Sequence, residues 1–239
     1  MDEMMSLPTP YYQDDWATIY LGDCREVLPE FSKDSVEVIF TDPPYGVNLG
    51  KSKRSTKSTP NRDTGNYGYD DTQHNLLSMM LTVFPELIRI ASCVILTPGI
   101  VNLFSYPKPT WTGAIYYPSG AARGPWGFTC WQPILYYGKS RYAGQGSRPD
   151  SISSTEAAEV NGHPCPKPIV AWKKLLSYNS LPTDTILDPF MGSGTTLRAA
   201  KDLNRKSIGI EISEKYCEIA ARRLQQEVFD FSGRNADLS

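Results

Sequence analysis

The stretch that most restricts this chain is Val36-Glu37-Val38-Ile39-Phe40-Thr41, an apolar run rich in β-branched residues that is cut off by Asp42-Pro43-Pro44-Tyr45. The run has the composition of a buried strand. Neither proline can donate a backbone hydrogen bond, so the strand must stop and leave Asp42 at its carboxyl end. Open α/β sheets place their ligands at that end. The prolines fix two φ angles and so aim the carbonyls around them. An acid, a rigid carbonyl and the flat face of Tyr45 together can grip a planar group bearing an exocyclic amine. As plain structure, the same residues are a turn that closes a strand, with Tyr45 packed on the core. A polyproline ligand fits less well, because the tyrosine follows the prolines directly and the strand before them is apolar.

A second strand of the same design lies far downstream, at Thr185-Ile186-Leu187-Asp188-Pro189-Phe190-Met191-Gly192-Ser193-Gly194-Thr195-Thr196. It ends in an acid and a Gly-x-Gly loop, and Leu197, Ala200 and Leu203 continue at helical spacing. Glycines let a backbone pass close to a ligand at a helix N-terminus. No Gly-Lys-Ser/Thr follows, so this is not a phosphate-binding loop. Leu197 stands where a dinucleotide fingerprint needs its third glycine. An ordinary tight strand-to-helix turn is the structural alternative. Ser207 to Ile212 reads as the next strand, and Glu211 lies near the usual spacing for an acid that holds ribose hydroxyls. A loop without a phosphate-binding lysine, followed by a ribose-binding acid, points to a nucleoside with no phosphate chain.

The pairing of DPPY with a downstream DPFMGSGTT resembles the S-adenosylmethionine-dependent amino-methyltransferases of DNA, in the order of the group called β. The resemblance covers roughly residues 18–48 and 92–228. It implies an α/β fold, a Rossmann-like, doubly wound, mostly parallel seven-stranded sheet with one antiparallel strand and a circularly permuted motif order. It implies S-adenosylmethionine as cofactor and DNA as partner, and it admits a homodimer. The catalytic residues would be Asp42, Pro43, Pro44 and Tyr45, with the base flipped out and stacked on Tyr45. The cofactor would be held by Asp23, Lys167, Asp188, Phe190, Gly192, Ser193, Gly194, Thr195 and Glu211. Asp23 corresponds to the family's acid that accepts from the cofactor's adenine, although by spacing it could equally cap a helix. His163-Pro164-Cys165-Pro166-Lys167-Pro168 resembles the family's HPxxKP element, which closes over the methionine end of the cofactor. Adenine N6 is the expected target, because the family often has Ser in place of Asp42 for cytosine. Cytosine N4 is the nearest rival. An RNA or protein methyltransferase, or a cofactor-binding module without catalysis, is a more distant one.

The rest of the chain fits one domain over residues 1–239. Its formal net charge is −2, so any nucleic acid must be met by a local patch rather than by the overall field. One candidate is a mobile basic loop at about 47–75 with Lys51, Lys53, Arg54 and Lys57, beginning next to the catalytic motif. A solvated linker is its structural alternative. Another is an arginine- and aromatic-rich region holding Arg123, Trp126, Phe128, Trp131, Lys139 and Arg141. Within it, Phe128 and Trp131 read better as core residues of an edge hairpin. A short target-recognition insertion is implied at about 140–162. Helices are expected at 24–32, Leu76 to Ala91, Pro168 to Tyr178 and from Ser213, the last with Ser213 as its cap. Strands are expected at 16–21, 93–97, 113–117 and 132–138. The five cysteines are scattered with no metal spacing, so neither a structural zinc nor any other metal is expected, and a reducing compartment is; the resemblance implies the cytoplasm of a bacterial or phage-infected cell. No apolar stretch is long enough to span a membrane, and the N-terminus is unlike a signal peptide. With His74 and His163 the only histidines, no Ser/His or Cys/His nucleophilic pair is apparent.

Overall fold

In a computed structural model of the chain, the described residues are 7–46, 72–120, 122–124 (backbone only), 126–156 and 167–226. Lys51, Lys53, Arg54 and Lys57, the Arg123 side chain and His163 to Pro166 lie outside them.

The elements run in the order β1 (Tyr12–Gln13), β2 (Ala17–Leu21), α1 (Cys24–Val27), β3 (Val36–Thr41), α2 (Gln73–Ile90), β4 (Ala91–Leu96), β5 (Trp111–Tyr116), β6 (Ala122–Gly124), β7 (Gly127–Thr129), β8 (Trp131–Gly138), β9 (Ser151–Ser153), α3 (Ile169–Asn179), β10 (Thr185–Asp188), α4 (Thr195–Asp202), β11 (Lys206–Glu211) and α5 (Glu214–Gln225). Among the described residues, one nine-stranded sheet has the order β1-β2-β11-β10-β3-β4-β8-β5-β9. The seven strands from β2 to β5 are the expected sheet, parallel except for β8, which runs against both neighbours. The two additional strands are short edges: β1 pairs antiparallel with β2, and β9 parallel with β5. Elements of two or three residues carry no readable period, so they escape a sequence reading.

Alternation along the strands sends side chains to two opposite layers. Ile39, Val94, Leu96, Leu187 and Ile210 meet α1 and α2 on one face through Val27, Leu76, Val83 and Leu87. Val38, Phe40, Ile95, Ile134 and Ile186 meet α3 and α4 on the other, around the fully buried Trp172. Ala17 and Ile19 of β2 meet α5 on that same face. The β3–α2–β4 crossover moves outward in one direction and the β10–α4–β11 crossover in the other. The sheet order therefore reverses between β10 and β3, and the crevice at such a point is where open α/β sheets bind ligands.

α2 starts at Gln73, earlier than expected, because the Thr72 hydroxyl accepts from the Asn75 amide (3.3 Å) and caps it. It continues through Pro85 as one element. Ser213 does occupy the cap position of α5, but its side chain makes no capping bond. Its amide instead donates to Glu211 Oε1 (2.9 Å).

Candidate active site

Four neighbouring parallel strands, β2, β11, β10 and β3, deliver an acid each to one edge of the sheet: Asp23, Glu211, Asp188 and Asp42. Strands lie about 4.8 Å apart, so residues from both ends of the chain become close neighbours. Thr41 Oγ1 donates to Asp188 Oδ1 (2.5 Å) and joins the two halves across the β3–β10 step.

The glycine loop is built from its backbone. Gly194 has φ +76°, which starts α4 in a left-handed conformation, and a Cβ there would lie 2.8 Å from Ala220 Cβ on α5. α5 also pins the loop through Arg223, which donates to the Ser193 carbonyl (2.7 Å) and to Thr195 Oγ1 (3.3 Å). Phe190 donates its amide to Asp188 (3.1 Å), and its ring is partly buried against the core. Glu211 turns back on the loop: Gly192 N–H donates to its Oε2 (3.0 Å). Burial pushes the Asp188 carboxyl up to about 6 and the Glu211 carboxyl up to about 7. Asp23 takes the capping role: it accepts from the Arg25 amide (2.9 Å) at the start of α1 and pairs with the Arg25 guanidinium, which holds its carboxyl below the usual range. No basic side chain lies between Asp188 and Gly194. This donor set suits a ligand with hydroxyls, amines and positive charge, and does not suit a phosphate.

The catalytic motif is more heavily engaged than its sequence suggests. Asp42 Oδ1 accepts from Tyr45 Oη (2.5 Å), Thr97 Oγ1 (2.5 Å) and Gln132 Nε2 (3.1 Å), while Oδ2 forms an ion pair with Lys167 Nζ (2.6 Å). Gln132 Nε2 also donates to Tyr45 Oη (2.6 Å), and Lys167 Nζ does so at 2.7 Å. Lys167 lies 4.8 Å from the Tyr45 ring centroid. Asn102 Nδ2 donates to the Tyr45 carbonyl (2.7 Å). Gly99, at φ +70°, admits the Tyr45 ring, since a Cβ there would come within 3.2 Å of it.

Several sequence expectations change here. Lys167, expected at the methionine end of the cofactor, reaches Asp42 and Tyr45. Phe128 and Trp131, expected in the core, are 70% and 40% exposed. Among the described residues β6 and β7 pair only with each other, so Phe128 stands on a hairpin separate from the main sheet, whereas Trp131 opens β8, the strand that follows it. Trp126, at its tip, is fully exposed. Lys139 and Arg141 follow β8, whose end lies at the opposite edge, with Gly138 beside Cys93 at the start of β4. Arg141 is committed there to the buried Asp184 through two bonds (2.7 and 2.9 Å), because a buried carboxylate requires a partner. The segment from 140 to 150 begins at that far edge, and β9 carries the chain back towards the site. Thr97 was not singled out in the sequence, and Gln132 was reached only as the first residue of the strand at 132–138, which by resemblance helps form the target-base pocket. Thr97 follows an apolar strand as Asp42 does, so the same signal was there. Gln132 opens β8, and in an antiparallel strand the start, not the end, meets the catalytic edge. Asn102 and Arg223 carry no such signal.

The four described cysteines are free, no metal-holding group occurs among the described residues, and no helix among them is long and apolar enough to cross a membrane.

Residues 105–222 match the family described as DNA methylase of the N6/N4 type. The chain is 25% identical to the Type II methyltransferase M2.DpnII of Streptococcus pneumoniae, over 91% of this chain and 93% of that one. It is 27% identical to M.HpaI of Haemophilus parainfluenzae, over 86% and 73%. Among solved structures, PvuII DNA methyltransferase (cytosine-N4-specific) superposes with a TM-score of 0.65 at 17% identity, over 92% and 90% of the two chains. The M1.HpyAVI–SAM complex does so at 0.60 and 22%, over 88% and 100%. These two share the fold. By the family match over residues 105–222 and the relatives along most of its length, the chain is similar to the amino-methyltransferases of the N6/N4 DNA methylase class.

Proposed function

We propose that this chain transfers a methyl group from S-adenosylmethionine to the exocyclic N6 of adenine in DNA, after the base has left the duplex stack. The observation that carries this reading is the Asp42 carboxylate at the end of β3, beside a glycine loop and two acids on the adjacent strands. S-adenosylmethionine supplies a methyl group already activated by its sulfonium charge. Glu211 would accept from ribose hydroxyls, Asp23 from the adenine amine, and the loop from Asp188 to Thr195 would approach the nucleoside closely. The structural neighbour bound to SAM supports that choice of donor.

The protein's task is then to aim and prepare the acceptor nitrogen. An exocyclic amine is a poor nucleophile because its lone pair is delocalised into the ring. Hydrogen bonds from its two N–H groups to the Asp42 carboxylate and the Pro43 carbonyl draw the nitrogen towards a tetrahedral shape and free that pair. Tyr45 provides a stacking face, and Pro44 fixes the turn between them. The proton leaves during or after transfer, so Asp42 need not act as a strong base. Adenine is preferred because Asp42 occupies the position at which the family's cytosine enzymes often carry serine. Cytosine N4 offers the same chemistry to the same residues and is the second reading.

DNA would approach across the catalytic edge, met by Lys51, Lys53, Arg54, Lys57 and Arg123 and by the exposed rings of Trp126 and Phe128. Arg141 is held by Asp184 at the opposite edge of the sheet, after the end of β8, and Lys139 lies beside it in the chain. The names of the relatives support a role in restriction and modification. Transfer of labelled methyl from S-adenosylmethionine to DNA tests the reading. Asp42→Ala is expected to fold and bind cofactor but to lose on the order of a hundredfold or more in turnover, as for a positioned transition-state partner. Full turnover in that variant would remove the catalytic assignment.

A further inference from the structure

The Tyr45 hydroxyl is engaged in a particular way. It donates to Asp42 Oδ1 at 2.5 Å and accepts from Gln132 Nε2 at 2.6 Å. The two partners are themselves 3.1 Å apart, so an acceptor and a donor stand side by side at the head of the crevice. The Gln132 amide is oriented from behind, because its Oε1 accepts from Tyr117 Oη at 3.3 Å and turns Nε2 towards Asp42. β8 and β5 hold these two residues on the side of Asp42 away from the cofactor loop, with Gln132 opposite Ile115.

An acceptor beside a donor has a complement: a donor beside an acceptor. Adenine presents N6–H beside N1, and cytosine presents N4–H beside N3. Guanine and thymine present the reverse order, a carbonyl oxygen beside a ring N–H. We infer that Gln132 is a substrate-binding, specificity-determining residue. Its Nε2–H donates to the ring nitrogen next to the target amine, while Asp42 accepts from the amine itself. This rests on the proposed transfer to a base amine and adds to it the group that selects amino-bearing bases over keto-bearing ones. In the DNA-free protein the Tyr45 hydroxyl satisfies the same pair. Entry of the base displaces that hydroxyl, and the ring is released to lie on the face of the base. A site whose buried polar groups are built for one hydrogen-bonding pattern discriminates strongly against a ligand that leaves them unpaired.

The test uses duplexes carrying the methylated site, located by sequencing the DNA product. The target base is either natural or has its ring nitrogen replaced by CH: 1-deazaadenine, or 3-deazacytosine where the product is on cytosine. With wild-type protein the analogue is expected to lower kcat/KM about tenfold, the effect of one directional hydrogen bond. Gln132→Ala should lose about the same factor on the natural base and be indifferent to the analogue, as expected when two changes remove one interaction. Gln132→Glu keeps the shape, removes the donor and sets a second carboxylate beside Asp42, so it should lose at least as much. Equal rates of wild-type protein on the natural base and the analogue would overturn the inference. So would losses that multiply in Gln132→Ala. If Gln132→Ala does not fold, the wild-type comparison decides alone. Methylation of neither base by wild-type protein would remove the proposed function, and this inference with it.

Discussion

Glu211 accepts from the Gly192 and Ser213 amides, and burial still lifts its carboxyl to about 7. Ribose hydroxyls donate more strongly to a carboxylate than to a carboxylic acid, so the cofactor prefers the ionised form. Below pH 7 the free protein holds a proton that binding must expel. Cofactor affinity is therefore expected to fall with decreasing pH below about 7, by up to tenfold per unit, and to level off above it. Calorimetry in two buffers of different ionisation enthalpy should reveal proton release at pH 6, and Glu211→Gln should bind more weakly and abolish both effects. An affinity independent of pH in the wild-type protein would take the ribose role from Glu211. Without cofactor, both Glu211 and Asp188 have raised folded-state values, so the folded chain keeps protons that the unfolded chain loses from about pH 4 upward. Their contribution to stability is present below that range and is lost as pH rises through about 6 to 7. These acids were legible in the sequence because each ends an apolar run. Gln132 was not, because nothing in Trp131-Gln132-Pro133 reveals that its strand runs backwards.

At the scale of elements, the glycine loop, α4 and α5 act as one unit. Gly194→Ala must accept a left-handed backbone, at a cost of about 1–2 kcal/mol. It also places a methyl group 2.8 Å from Ala220 Cβ, so α5 has to move. A lower melting temperature and weaker S-adenosylmethionine binding are expected together. Ala220→Gly in the same chain should relieve the contact and recover part of the loss, leaving the backbone strain. A Gly194→Ala protein with unchanged melting and binding would mean that loop and helix are not coupled. β3 has the bounds its sequence gives, and the other long strands of the sheet differ by one or two residues. Their apolar runs are long enough to fix both type and position. An edge hairpin was expected in this region without bounds, and the burial expected of Phe128 in it is not found. Aromatic composition alone does not distinguish a ring that packs on a layer from one with no layer above it.

Across the whole molecule, the permuted motif order makes physical sense only in the folded sheet. Asp42 and Asp188 are remote in sequence, yet Thr41 bridges β3 and β10 at the point where the strand order reverses. That juxtaposition is the one a methyl donor and its acceptor require. With a net charge of −2 the proposed contact with DNA falls to a local surface, and the edge that carries Asp42 also exposes Trp126 and Phe128. At the opposite edge Arg141 is engaged in internal structure, paired with Asp184. Mass spectrometry of nucleosides from DNA incubated with the protein and S-adenosylmethionine tests the central claim most directly. N6-methyladenine is the predicted product; N4-methylcytosine, or no modified nucleoside, would contradict it.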